Sequence, residues 1–269
     1  MSARSWWTLG ARGFRVPEGT GNKAALLHRA ARRGLHVPEA IVVTDETLGA
    51  AMAETDDPTA LARRLALPAL GERVAVRSAF SLEDRSDGSH AGRFASKLNV
   101  DPSDPRDIGD ALLACWRSAE REAGPCRRDL LIMGMIPARH AGVAFTEPEH
   151  EDDLVNWCCG TAERLVGGAE SGDSAELPRL RRWERPRGTP FGDLPPFAAR
   201  LARLLRDLRV RFGSGPWDVE WADDGATCWL IQVREVTRPV RRNELFTLAN
   251  HREILPDPPS PLMTGVIAE

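Results

Sequence analysis

The chain has 269 residues, of which 42 % are hydrophobic, and a formal net charge of −3. This composition is sufficient for a buried core, and it excludes the strongly basic surface on which nucleic-acid binding depends. We therefore expect no nucleic-acid partner. The five cysteines form no CxxC pair, which fits a reducing cytosol. No apolar run approaches the roughly 20 residues of a membrane span, so we expect a cytoplasmic protein with no membrane partner.

The first half of the chain combines apolar residues at helical spacing with short apolar runs that are typical of buried strands. Gly34 ends the first helical stretch, and Asp45 is the predicted N-cap of the next helix. The predicted elements are a helix over 22–33, a strand over 40–43, helices over 45–53 and 58–66, strands over 74–78 and 94–100, and a helix over 107–123.

The second half contains more strands and one long helix. An acidic stretch, 147–153, is predicted as a solvated loop, and the turn at Asp223-Asp224-Gly225 predicts a hairpin. The predicted elements are strands over 130–136 and 141–146 that pair around Pro137, a helix over 195–212, and the hairpin strands 218–221 and 227–233. Residues 155–158 form a short apolar run.

The order of these elements predicts the fold class. Because strands and helices alternate without a regular strand–helix–strand rhythm, we expect an α+β, two-lobed protein rather than a doubly wound sheet. A segment rich in Gly, Pro and charge separates the lobes. The predicted domains are an N-terminal lobe over 1–168, a C-terminal lobe carrying the hairpin over 169–237, and a linker-like tail over 238–269.

Short sequence blocks follow one another in a recognisable order between residues 20 and 237. They are GNKAAL at 21–26 with GLHVP at 34–38, VAVRSA at 74–79 with SHAG at 89–92, MIP at 135–137 with GVAFT at 142–146, and DVEWA at 218–222 with IQVREVT at 231–237. This order resembles the N-terminal ATP-binding domain of the phosphoenolpyruvate synthase and pyruvate phosphate dikinase family. The tail block NHREILP at 250–256 resembles the linker toward that family's phosphohistidine domain.

The resemblance implies an ATP-grasp fold that holds ATP and Mg²⁺ in a cleft between two lobes. In this family the ATP-binding domain phosphorylates a histidine on a mobile domain, and the phosphoryl group then passes to a small-molecule acceptor. None of the six histidines here stands in the family's GGxT(S/C)H setting. The resemblance therefore implies an ATP-binding module whose phosphohistidine lies on a separate protein or on a missing C-terminal domain.

Two alternatives to this function remain open. The chain could be a stand-alone kinase that phosphorylates a small molecule, such as an antibiotic or a metabolite, or it could be a nucleotide-sensing pseudoenzyme. Retention of the matching charged and amide residues argues against the pseudoenzyme. The retained residues are Lys23, Arg77, Glu220, Gln232 and Arg234.

Three cations are the candidate catalytic residues, because ATP carries about four negative charges that its site must compensate. They are Lys23 near a helix start, Arg77 at the end of an apolar strand, and Arg234 in the hairpin. Taken alone, these residues also fit a solvated lysine and structural ion pairs. The resemblance favours phosphate contact.

Glu220 and Gln232 are the candidate Mg²⁺ ligands. Strand alternation allows them to share one face of the hairpin with Asp218 and Arg234, and their oxygens suit a hard cation. The same pattern also fits a polar hairpin face. The resemblance further implies nucleotide contacts by Ser89 and Gly92 of a small-residue loop, by Met133 and Met135 at the adenine, and by Glu163 at the ribose. The loop equally fits a hairpin connection, and the two methionines equally fit core positions. His90 and Arg93 depart from the family pattern.

Overall fold

The computed structural model describes residues 6–81, 95–119, 126–160, 172–180 and 194–236. Its strands and helices there have the following bounds. The strands are β1 (Trp6–Thr8), β2 (Ala40–Val43), β3 (Val74–Phe80), β4 (Ser96–Val100), β5 (Arg128–Gly134), β6 (His140–Thr146), β7 (Asp152–Cys159), β8 (Asp173–Pro178), β9 (Trp217–Asp223) and β10 (Cys228–Glu235). The helices are α1 (Asn22–Arg32), α2 (Asp45–Met52), α3 (Pro58–Leu65), α4 (Pro105–Arg117) and α5 (Ala198–Phe212).

The first sheet has the strand order β1-β2-β5-β3-β4, and its neighbouring strands are antiparallel. One face carries the core with α2, α3 and α4, where Val76 and Ile132 are buried. Because side chains alternate along a strand, Arg77 of β3 points to the other face. Ala75 lies opposite Met133 in the register, so Met133 shares that second face with Arg77.

The second sheet has the order β10-β9-β6-β7-β8. Phe197, at the start of α5, packs on it beside Trp221, with ring centroids 4.7 Å apart, and beside Trp157, at 5.4 Å. Arg200 of α5 forms a two-pronged ion pair with the buried carboxylate of Asp223, with N···O distances of 2.6 and 2.8 Å. Aromatic packing and this charge-assisted pair therefore fix α5 to the sheet.

The chain forms two compact units. The first contains the described residues from 6 to 136 together with 230–233, and the second contains those from 137 to 229 together with 234–236. Two antiparallel sheets with helices confirm the predicted α+β class. The proposed boundary between 168 and 169 and the proposed tail over 238–269 lie outside the described residues.

Several local predictions are wrong, each for a physical reason. The strands predicted to pair around Pro137 do not pair: β5 lies between β2 and β3, while β6 lies between β7 and β9 of the other sheet, so neither has an open edge for the other. Strands β6 and β7 thus belong to the second sheet. Thr44, not Asp45, caps α2, because the Thr44 side chain accepts from the Thr47 N–H.

The acidic stretch 147–153 is only partly a solvated loop. Its last two residues begin β7, and the Asp153 side chain is 1 % exposed. Asp153 accepts from Arg179 Nε at 2.7 Å and from Arg209 Nη1 at 2.6 Å. Two arginines compensate the buried charge, which explains how a carboxylate is tolerated in this position.

Candidate functional site

Lys23 is positioned by the start of α1. Gly21 precedes the helix as its N-cap, and a Cβ at this position would lie 2.7 Å from the carbonyl oxygens of both Ala79 and Phe80. Only glycine allows the helix start to approach the end of β3 this closely. From there the Lys23 ammonium donates to the carbonyl oxygen of Ser78 at 2.9 Å. The predicted phosphate-binding lysine is therefore held against β3.

Arg77 is the only half-buried residue of β3, whose other side chains are buried. Its Nη2 donates to Oε1 of Gln232 at 3.0 Å, across 155 residues of sequence, and both residues belong to the first compact unit. Lys23 is hydrogen-bonded to Ser78, the residue that follows Arg77. The structure therefore brings Lys23, Arg77 and Gln232 together around one strand.

Arg234 is held within the second unit by Asp218. Its Nε donates to Asp218 Oδ2 at 2.5 Å, and the Asp218 side chain is only 7 % exposed, against 42 % for Arg234. This ion pair puts the two side chains on one face, as strand alternation predicts. Asp218 is not among the candidate residues from the sequence, and its place two residues before Glu220 is the signal that could have identified it.

Glu220 is half-buried in β9, between the buried Val219 and Trp221. Alternation gives it the same face as Asp218, and gives Gln232 of β10 the same face as Arg234. The shared metal site of Glu220 and Gln232 remains a prediction. Among the described residues, no group of three or more His, Cys, Asp or Glu side chains could hold a metal. One carboxylate and one amide oxygen nevertheless fit Mg²⁺, which keeps much of its shell for water and phosphate oxygens.

The two candidate adenine residues differ in accessibility. Met133 is 2 % exposed and is a core residue in this conformation. Met135 is half-buried, and its sulfur accepts from the Asn99 N–H at 2.9 Å. Their contact with a nucleotide remains a prediction. Ser89, Gly92 and Glu163 lie outside the described residues.

A buried thiol lies on the helix side of β3 but is not a candidate nucleophile. Cys115 of α4 donates to the carbonyl oxygen of Val76, with an S···O distance of 3.3 Å. Burial raises the pKa of this thiol to about 11, although the positive charges of Lys97 and Lys23 act in the opposite direction. A thiol with this pKa is almost entirely protonated near neutrality and is a poor nucleophile.

A cavity of about 340 Å³ lies in the first unit but does not coincide with these residues. Its lining is mainly apolar and comes from α3, α4 and the segment after α3, on the helix-covered face of the sheet. None of the candidate site residues that the structure describes lines it. In the part of the chain that the structure describes, no helix is long and apolar enough to cross a membrane.

No protein-family model matches this chain. Its sequence is similar to the prodigiosin synthesizing transferase PigC of Serratia marcescens, with 28 % identity over 82 % of this chain and 32 % of PigC. It is also similar to the probable phosphoenolpyruvate synthases of Archaeoglobus fulgidus (25 % identity, 61 % of this chain, 27 % of that protein) and Methanothermobacter thermautotrophicus (26 %, 68 % and 32 %).

The similarity to phosphoenolpyruvate synthases confirms the resemblance that the sequence blocks carry. All three relatives are named as enzymes, one a transferase and two synthases. The chain spans about a third of the length of each of them, between 27 % and 32 %.

Solved structures similar to this chain include the following two. One is a RimK domain protein of Sphaerobacter thermophilus that is named an ATP-grasp protein, with a TM-score of 0.40, 19 % identity, and coverage of 86 % of this chain and 63 % of that one. Another is the D-alanine-D-alanine ligase of Helicobacter pylori, with a TM-score of 0.42, 10 % identity, and coverage of 84 % and 56 %.

Proposed function

We propose that this chain is the ATP-binding module of a dikinase-type phosphotransferase, with an ATP-grasp fold, that passes phosphoryl groups from ATP to a histidine on another domain or protein. The observation that carries the proposal is the assembly around β3, where Lys23 bonds to the Ser78 carbonyl and Arg77 bonds to Gln232. Three residues that the family resemblance assigns to ATP binding meet there, although they come from distant parts of the sequence.

Each residue of the proposed site has a distinct role. Lys23 supplies a compact charge and Arg77 a planar fork that can bind two oxygens of one phosphate. Arg234, oriented by Asp218, adds a third cation. Glu220 and Gln232 hold Mg²⁺, which when bound neutralises charge on the phosphate oxygens.

The proposed nucleotide contacts complete the site. Met133 and Met135 contact the adenine, Ser89 and Gly92 the phosphates, and Glu163 the ribose. Met133 has to become accessible for this role, because it is 2 % exposed here.

The sequence relatives support an enzyme rather than a nucleotide sensor. Their names point to different products, prodigiosin and phosphoenolpyruvate. The alignment with this chain covers only 27 % to 32 % of each relative's own length. We therefore place the small-molecule acceptor on a phosphohistidine-domain protein or a further domain, and ATP on this chain.

Calorimetry and thermal unfolding with ATP and Mg²⁺ test the binding half of this proposal. At 100 times the dissociation constant, the ligand is expected to raise the free energy of unfolding by about 2.7 kcal/mol. Arg77→Met should weaken binding, whereas Arg73→Met, an exposed arginine just before β3, is the matched control and should bind normally. No binding of ATP, AMP or GTP at millimolar concentration would refute the proposal.

Radiolabelled ATP tests the transfer half. With a phosphohistidine-domain protein added, we expect AMP and an acid-labile phosphoprotein, and without it only slow ATP hydrolysis. Rapid production of ADP and a phosphorylated small molecule by this chain alone would instead favour the stand-alone kinase.

A further inference from the structure

One oxygen atom serves two roles in the proposed site. Oε1 of Gln232 accepts the hydrogen bond from Arg77 Nη2 at 3.0 Å, and it is also the atom that the amide offers to Mg²⁺. Both side chains are half-buried and both belong to the first compact unit. The question is whether Arg77 and the metal can share this atom.

Sharing it is unfavourable. A magnesium ion lies about 2.1 Å from its oxygen ligands, so with the 3.0 Å hydrogen bond retained it would be at most about 5 Å from Arg77 Nη2. Two positive charges at that separation repel each other, and partial burial weakens solvent screening. Arg77 then gains by moving to a different acceptor, and a phosphate oxygen is the strongest available type.

We propose that Gln232 couples metal binding to phosphate binding by holding Arg77 until the metal arrives and then releasing it to the nucleotide. The inference rests on the proposed function, and it makes Gln232 a positioning residue for Arg77 as well as a metal ligand. Without metal, Arg77 must give up its hydrogen bond to Gln232 before it can bind phosphate. Metal-free nucleotide therefore binds more weakly than it would if Arg77 were not held by Gln232. With metal, that competing bond is already lost.

ATP binding measured by calorimetry in EDTA tests the tether apart from metal ligation. Gln232→Leu removes that acceptor, so metal-free ATP should bind about tenfold more tightly than to wild type, the equivalent of about 1.4 kcal/mol for one hydrogen bond from a charged donor. With Mg²⁺ present, the same variant should bind more weakly than wild type, because it lacks the ligand. This reversal of sign is the signature of the coupling.

The Arg77→Met background is the control. There, Gln232→Leu should leave metal-free binding unchanged, because the group that was held is absent. If the leucine variant does not fold, Gln232→Glu replaces it: the carboxylate holds Arg77 by a charge-assisted bond, so metal-free binding should weaken about tenfold, and less so with Arg77→Met.

The outcomes separate the two hypotheses. If wild type binds ATP but Gln232→Leu binds metal-free ATP no more tightly, or gains equally with Arg77→Met, the coupling is wrong and the proposed function stands. If wild type binds no ATP with or without Mg²⁺, the proposed function itself fails.

Discussion

Lys23 donates to the carbonyl oxygen of Ser78 at 2.9 Å, across 55 residues of sequence. Ser78 directly follows Arg77 in β3. The strand therefore contains one proposed phosphate-binding cation, Arg77, and its backbone accepts a hydrogen bond from the other, Lys23. Strands β4 and β5 pair with the two edges of β3, which makes it a rigid support. Phosphate is a charged acceptor and binds an ammonium or guanidinium more strongly than a carbonyl or amide oxygen does.

Gly21→Ala should disturb this arrangement from the helix side. The added Cβ would lie 2.7 Å from two backbone carbonyl oxygens, so the start of α1 must move away from β3 and take Lys23 with it. We expect the free energy of unfolding to fall by about 2 kcal/mol, and ATP binding to weaken beyond what the stability loss explains. Urea unfolding and calorimetry measure the two effects.

Gly49→Ala is the matched control. Gly49 lies inside α2, and a Cβ there would meet nothing within 4 Å. Alanine is the better helix former, so this variant should gain about 0.5–1 kcal/mol of stability and bind ATP as wild type does. Equal effects of the two substitutions would contradict the close approach at Gly21.

Protonation of His28 should lower the free energy of unfolding of the first unit in mild acid. His28 is 4 % exposed, its Nδ1 accepts from the Gly10 N–H at 3.1 Å, and burial, aided by the charge of Arg32, lowers its pKa below the ordinary value of 6.5. The unfolded chain therefore binds a proton at His28 more readily than the folded chain does. The contribution of neutral His28 to the free energy of unfolding is fully present above about pH 6.5, and it is lost as the pH drops through and below that value.

Urea unfolding at pH 7.5 and pH 5.0 checks this sign. Wild type should lose more stability between the two than His28→Gln, whose amide can still accept from Gly10 but does not titrate. Since every other titratable group is common to both proteins, the difference between their losses isolates His28. Equal losses would show that His28 does not contribute.

The sequence predicts individual elements better than their partners. The helix over 22–33 and the strand over 40–43 are found at 22–32 and 40–43, because apolar spacing records which face is buried. That spacing does not say which strand lies alongside. Residues 130–136 and 141–146 therefore look like a hairpin, yet β5 pairs with β3, some 50 residues earlier in the chain.

The candidate site divides in the same way. Lys23, Arg77 and Gln232 are identified by short blocks that resemble a known family, but their hydrogen bonds are not. The Arg77–Gln232 bond spans 155 residues, and no local pattern encodes it. Asp153 is missed for a related reason, because a carboxylate at the end of an acidic run gives no sign of the two arginines that fold over it.

Asp153→Ala tests that buried ion triad. Removing the carboxylate leaves Arg179 and Arg209, whose side chains are 18 % and 12 % exposed, with like charges close together and no shared acceptor. We expect a loss of about 3–5 kcal/mol in the free energy of unfolding. Glu54→Ala, which breaks the exposed pair with Arg64, should cost less than about 1 kcal/mol. Similar losses in denaturant unfolding would contradict the difference in burial.

Glu220→Gln should separate metal binding from nucleotide binding. The substitution keeps the shape of a half-buried side chain between the buried Val219 and Trp221, so the unfolding free energy should change by less than about 1 kcal/mol. It removes the negative charge proposed to bind Mg²⁺, so the dependence of ATP affinity on Mg²⁺ should shrink at least tenfold. Affinity in EDTA should not fall, because Lys23 and Arg77 remain and a carboxylate that repels phosphate is lost.

The measurements are ATP titrations at fixed Mg²⁺ concentrations and in EDTA, with Glu176→Gln on the exposed face of β8 as the control. A Glu220→Gln protein with the Mg²⁺ dependence of wild type would exclude Glu220 as a metal ligand.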